Sequence, residues 1–159
     1  MHQLYTIQLH WIEMASTLLI IITTLFLGRV TGQLISEQCL QCICYATSGC
    51  DVTGGCSDYT CGPYGITWEY WADAARPVMA SDNPFIDGAY VRCTSNKECS
   101  ERTLQNYMLR YGRDCNGDGT SSCYDFAAVH RAGADTCTGP LDQEYLNKLT
   151  SCFQYFQIQ

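Results

Sequence analysis

The sequence predicts a small, disulfide-rich domain of α+β class, mainly helical, and three observations lead there. Twelve of the 159 residues are cysteine. Six of them crowd into Cys39–Cys61 with the spacing C-x2-C-x-C-x5-C-x5-C-x4-C. Four later segments are helix-compatible, three of them with apolar residues at helical intervals, whereas Gly49, Gly54 and Gly55 break the cysteine-rich stretch into short pieces.

The chain opens with a leader. Leu18–Leu27 (LLIIITTLFL) has the length of a signal-peptide apolar region and is too short for a membrane span. Small Gly32, with Val30 two residues before it, marks the expected cleavage point, and Met14 offers an alternative start. Residues 1–32 are therefore expected to be a signal peptide, and residues 33–159 a single secreted domain with no stable membrane insertion after cleavage. An even set of cysteines in an exported chain reads as disulfides. A zinc cage is disfavoured, because the mature chain holds one histidine, His130, and its cysteines spread as far as Cys152. No metal and no cofactor are expected, and the spacing leaves the disulfide pairing open.

Taken in order, Gln38–Gly62 reads as irregular with strand-like pieces such as CLQCIC, and the remaining elements read as helices. Thr67–Ala75 (TWEYWADAA) is a short helix stopped by Pro77, and Arg76–Asp87 is a loop rich in Pro, Asn and Asp. Ser100–Tyr111 sets Leu104, Tyr107, Met108 and Tyr111 on one face before Gly112 ends it. Ser122–Arg131 carries Phe126, Ala127, Val129 and His130 and stops at Gly133. Leu141–Tyr155 aligns Tyr145, Leu149 and Cys152, and its Glu144 and Lys148 form an i,i+4 pair in the favourable order.

Charge narrows the partners. With Glu13 and Arg29 in the leader, the mature part holds eight Lys and Arg against fifteen Asp and Glu. Nucleic acid is excluded as a ligand, since no basic patch is present to neutralise phosphates. Glu69 and Asp73 stand at i,i+4 and read as solvated helix carboxylates, while Asp51 and Asp58 lie in the cysteine-rich lobe. Asp114–Asp118 with Asp125 mimics the start of a calcium loop. Cysteines inside it favour a disulfide-tethered turn instead. His130 is the one imidazole available as a base, and no serine sits in a G-x-S-x-G elbow.

CLQCIC-x3-SGC, CGPYGI-x3-YWADA, CTSNKECSERTLQNYM, YGRDCNGDG and CYDFAAVHRAG follow one another in this chain. Together they resemble the invertebrate-type lysozymes, the group that includes destabilase, over Cys39–Cys152. The resemblance implies a lysozyme-like α+β fold and cleavage of the β-1,4 glycosidic bond of bacterial peptidoglycan, in antibacterial defence or digestion. Some members also cleave isopeptide bonds. It places the family's catalytic acid, a Glu, at Thr47. The partner carboxylate, nucleophile or base, falls at Asp58 in a shortened Cys56–Cys61 loop. Gly65 stands where the family has Gln, and Ala74 and Thr103 where fuller members carry two cysteines. For an isopeptidase, His130 is the implied base. Tyr64, Trp68, Tyr70 and Trp71 are the candidates for stacking on sugar.

Overall fold

A computed structural model describes residues 34–158, and the expected signal peptide lies outside them. The elements are α1 (Glu37–Ser48), β1 (Cys56–Ser57), β2 (Thr60–Cys61), β3 (Ile66–Thr67), α2 (Trp68–Asp73), α3 (Ala89–Thr94), α4 (Lys97–Tyr111), α5 (Cys123–Ala132) and α6 (Gln143–Phe156). The class is the expected one: helices dominate, and one small antiparallel sheet runs in the order β1-β2-β3.

The cysteine-rich start corrects the expectation. CLQCIC is not strand-like; it is the body of α1. Cys39, Cys42, Ile43 and Ala46 recur at i, i+3, i+4 and i+7 and are all buried. Half-cystine packs here as a small apolar side chain and completes a helical stripe. The start is signalled by Ser36, whose Oγ accepts from the Cys39 N–H at 3.2 Å, with Glu37 in the first turn. Gly49, at φ 72°, ends the helix in the left-handed region.

The other helices also follow from their caps. Thr67 caps α2, and Asn96 caps α4, which begins three residues before the expected start, its Oδ1 accepting from the Cys99 N–H at 3.0 Å. Ser122 and Asp125 form a capping box on α5, and Asp142 caps α6. The short helix α3 was not anticipated: it follows Gly88 with no side-chain cap. Its six residues are set by packing, with Ala89, Cys93 and Thr94 buried.

All twelve cysteines pair. Cys39–Cys123 and Cys42–Cys152 join α1 to α5 and α6. Cys44–Cys50, Cys56–Cys61, Cys93–Cys99 and Cys115–Cys137 close short loops. The core between the helices contains Ile35, Ile43, Trp71, Leu104, Met108, Val129 and Leu149. Ala74 and Thr103, the positions that resemblance gives to a cysteine pair elsewhere, are both buried where α2 packs on α4. There Asn106 Nδ2 donates to the Ala74 carbonyl at 3.1 Å.

The sheet is held to the helices by polar contacts. Ser48 Oγ donates to the Pro63 carbonyl at 2.7 Å, and the Tyr90 hydroxyl donates to the Ile66 carbonyl. Gly62, at φ 73°, passes so close to α3 that a Cβ on it would lie 1.8 Å from the Thr94 carbonyl oxygen. No helix among the described residues is long and apolar enough to cross a membrane.

Two outcomes are expected from this architecture. Cys42–Cys152 spans 110 residues and Cys56–Cys61 spans 5. Loop-closure entropy assigns them roughly 5 and roughly 2 kcal/mol respectively. Urea unfolding of Cys42→Ala/Cys152→Ala should therefore show about twice the loss of Cys56→Ala/Cys61→Ala, and equal losses would rule loop closure out as the governing effect. Gly62→Ala should cost upward of ~3 kcal/mol through the Thr94 clash and the left-handed backbone. Gly117→Ala, with nothing within 4 Å, should cost only ~1–2 kcal/mol.

Candidate functional site

A cleft opens where the C-terminal end of α1 meets the β-sheet lobe. Its larger part is a cavity of about 380 Å³, lined by Thr47, Asp51, Ser57, Thr60, Gly65 and Arg131 among others. A second cavity of about 210 Å³ shares Thr47, Thr60, Gly65 and Arg131 and reaches inward to Thr67, Tyr70 and His130. The lining is mostly hydroxyls and glycine backbone. Such a surface offers many hydrogen bonds and little charge.

Thr47 sits in the last turn of α1, in the wall of both cavities. Its hydroxyl donates to the Ile43 carbonyl one turn back, at 2.8 Å. Gly65, at φ 57°, lies beside it, and a Cβ there would come within 3.2 Å of Thr47 Cγ2. The glycine therefore keeps the floor open next to Thr47.

Asp51 is the one carboxylate in the lining of either cavity. Its Oδ1 accepts from both the hydroxyl and the N–H of Thr53, each at 2.7 Å. Those bonds hold the carboxyl below the usual range, so it is ionised at neutral pH. Asp58 lies in the turn between β1 and β2, exposed, at φ 50°, and does not line the cleft. Glu69 and Asp73 are exposed on α2 and do not line it either.

Arg131 enters from the last turn of α5. Its Nε bonds Asp142 at 2.8 Å and its guanidinium lies 5.2 Å from the Tyr145 ring centre, which fixes its direction. Sequence reasoning missed Arg131, Thr60 and Thr67 as cleft residues, and named Asp51 only as a carboxylate of the cysteine-rich lobe. The D-x-T turn at Asp51 is a local signal for that residue; the others are brought in by tertiary packing alone.

The aromatic candidates divide. Tyr64 is buried, with its hydroxyl donating to Glu101 at 3.1 Å, and Trp71 is buried, with Nε1 donating to the Pro77 carbonyl at 2.7 Å. Tyr70 stacks on Tyr107 with ring centres 3.7 Å apart. Trp68 is half exposed and faces a separate groove beside Arg76 and Phe85.

The segment that mimics a calcium loop is organised by its own backbone. Asp114 accepts from Gly117 and Gly119, and buried Asp125 accepts from Cys115, Asn116 and Ser122. Among the described residues, no group of three or more His, Cys, Asp or Glu is placed to hold a metal.

His130 is fully engaged. Its Nε2 lies 2.9 Å from the Tyr64 carbonyl, so the neutral ring carries its proton there, and Nδ1 accepts from the Tyr70 hydroxyl at 3.3 Å. Both tyrosine rings meet it edge-on. Burial pushes its pKa down to about 4, with neighbouring Arg131 adding to the effect. The unfolded imidazole titrates near 6.5. The stability gained from the neutral ring is therefore complete above pH 6.5 and is lost as the pH falls toward 4, by up to about 3 kcal/mol. Asp51, Asp82 and Asp142 are also lowered and add to acid destabilisation in any variant that keeps them. Between pH 6.5 and 4, Tm should fall more steeply in the wild type than in His130→Gln. Parallel slopes would show that this ring does not titrate as described.

The comparisons with known proteins agree with this architecture. The destabilase family model matches residues 36–152. Invertebrate-type lysozyme 3 of Caenorhabditis elegans is 32% identical over 120 residues, covering 74% of this chain and 86% of that protein. The lysozyme of Meretrix lusoria is 31% identical over 121 residues, covering 74% of this chain and 90% of that protein. A chain in the crystal structure of Aeromonas hydrophila PliI in complex with Meretrix lusoria lysozyme superposes with a TM-score of 0.64 at 29% identity, covering 81% of this chain and 99% of that one. On family match, sequence and fold together, this chain belongs to the destabilase family of invertebrate-type lysozymes.

Proposed function

We propose that the protein is secreted and acts on bacterial peptidoglycan in antibacterial defence or digestion. It holds the glycan in the Thr47–Arg131 cleft and has lost most of the family's cleavage of the β-1,4 bond. The observation that carries this reading is the chemistry of the cleft. Glycoside hydrolysis needs a carboxyl that stays protonated until it meets the leaving oxygen, set against a second carboxylate. The cleft offers one carboxylate, Asp51, and its bonds from Thr53 favour the ionised form. Thr47, at the place resemblance gives the acid, has a hydroxyl that does not ionise near neutral pH and already donates within α1. Loss of a general acid removes ~10²–10⁴ in rate.

Binding needs no such acid. Thr47, Ser57 and Thr60 present hydroxyls to a saccharide, the glycines let it approach the backbone, and Arg131 adds a cation to the lining. The six disulfides support an oxidising, extracellular setting. The two hydrogen bonds of His130 weigh against an isopeptidase that would use it as a base.

Pelleting with insoluble peptidoglycan and clearing of a peptidoglycan suspension test the two halves of the proposal. The wild type should pellet with the polymer and clear it slowly. Thr47→Glu should raise the clearing rate by at least ~10-fold, within the range a general acid supplies. Failure to pellet would refute the binding assignment. Fast wild-type clearing that disappears in Asp58→Asn would refute the loss of catalysis.

A further inference from the structure

Tyr70 and His130 are a titratable pair that the cleft chemistry leaves unused. The Tyr70 hydroxyl donates to His130 Nδ1 at 3.3 Å, and Nε2 donates to the Tyr64 carbonyl at 2.9 Å. Burial holds the Tyr70 phenol well above its usual pKa, so it does not ionise by itself. Tyr70 is also the inner end of a column of tyrosines. Its ring centre lies 3.7 Å from that of Tyr107, with the planes 13° apart, and Tyr107 lies 4.6 Å from Tyr111. The first spacing is shorter than the ~4.5–7 Å usual for aromatic pairs. Tyr107 and Tyr111 are half-buried and Arg110 beside Tyr111 is exposed, so the column ends at the surface.

A phenol that loses an electron becomes a strong acid, so a tyrosine is oxidised most readily where a base stands ready for its proton. Tyr90 and Tyr145 donate to the carbonyls of Ile66 and Ala127, which take up no proton. Tyr64 donates to Glu101, a carboxylate already held by Lys97 at 2.9 Å, and its ring meets His130 edge-on, outside the column. Tyr70 combines a nitrogen base with face-to-face overlap leading outward. Proton transfer there needs no rearrangement. Once Nδ1 is protonated it donates back to the Tyr70 oxygen, and Nε2 keeps the Tyr64 carbonyl, so both N–H groups of the imidazolium are satisfied. Burial, and then the charges of Asp73 and Asp135, raise the Tyr107 phenol; that negative charge also eases loss of an electron from its ring.

We propose that Tyr70 and His130 form a redox-active pair, which gives one electron to oxygen-centred radicals through Tyr107 and Tyr111. An alkoxyl radical takes an electron at Tyr111 and a proton from water, and leaves as the alcohol. The electron vacancy passes to Tyr107 and then to Tyr70. There the O–H bond breaks, its proton goes to His130 Nδ1, and a neutral phenoxyl radical remains beside an imidazolium. Tyr111 and Tyr107 end unchanged. A diffusible one-electron reductant of the ascorbate class returns the electron by the same route, and the imidazolium returns the proton. Oxidation is thereby drawn inward, away from Tyr59 and Tyr155, which are 88% and 81% exposed and open to coupling between molecules as dityrosine. The pair needs no saccharide in the cleft.

Flash photolysis of the full chain with a ruthenium polypyridyl sensitiser and persulfate tests the pair, since persulfate releases an oxygen-centred radical. Electron paramagnetic resonance of the wild type should show a long-lived neutral tyrosyl radical. Tyr70→Phe keeps the ring contacts and should lose that radical, with more dityrosine-linked dimer on a gel. Tyr107→Phe should form the radical severalfold more slowly, and His130→Gln should shorten its lifetime severalfold. Heavy water should slow its formation in the wild type, a readout that does not depend on whether the His130 variant folds. A radical of unchanged yield and lifetime in Tyr70→Phe overturns the pair. An unchanged rate in Tyr107→Phe overturns the route, and equal rates in light and heavy water overturn the proton transfer to His130.

Discussion

Two disulfides leaving adjacent turns of one helix organise this molecule. Cys39 and Cys42 stand on the buried face of α1, and their bonds run to α5 and α6, across 84 and 110 residues of chain. Once both are closed, α1, α5 and α6 form a single packed unit around Ile43, Val129 and Leu149. Covalent closure on this scale acts mainly by limiting the unfolded chain. The direction of α1 is then set, and so is the position of its last turn, where Thr47 and Ser48 meet the sheet. The cleft inherits its shape from a helix that has no freedom to tilt.

The sheet lobe is built on a different principle. Its strands are two residues each, far too short to hold together by ladder bonds alone. Their place comes from contacts with the helices: Ser48 to Pro63, Tyr90 to Ile66, the close approach of Gly62 to Thr94, and His130 bridging Tyr64 and Tyr70. Those side-chain contacts are hydrogen bonds between uncharged groups, or steric. The sheet lobe therefore owes little to ion pairing, and the salt bridges of Arg92, Arg113 and Lys148 elsewhere involve exposed or partly exposed groups whose individual contributions are small.

Much of the helical part was legible from residue spacing. Leu104 and Met108, or Tyr145, Leu149 and Cys152, announce their helices because buried side chains repeat with the helical period. The segment CLQCIC was misread because cysteine was treated as a cross-link and not as an apolar residue; counted as apolar, it restores the period of α1. The site was legible only in part. Thr47 and Gly65 came from motif resemblance and do lie in the cleft. Asp58 was placed by loop position, yet the turn between β1 and β2 carries it to an exposed tip, while Asp51 lines the cavity. Trp71 and Trp68 show the limit most clearly. They are three residues apart on one short helix, and only their tertiary neighbours decide that one is core and the other half exposed.

The Cys56–Cys61 disulfide joins the two partners of a strand pair directly, so the hairpin is tied shut at its base. Whatever happens beyond that tie, at Asp58 and Tyr59, is mechanically isolated from Gly62 and Gly65 behind it. Residues can be added to or removed from the tip with the floor of the cleft held in place. Such a tie separates change at the tip from change in the scaffold, and lets the one vary while the other persists.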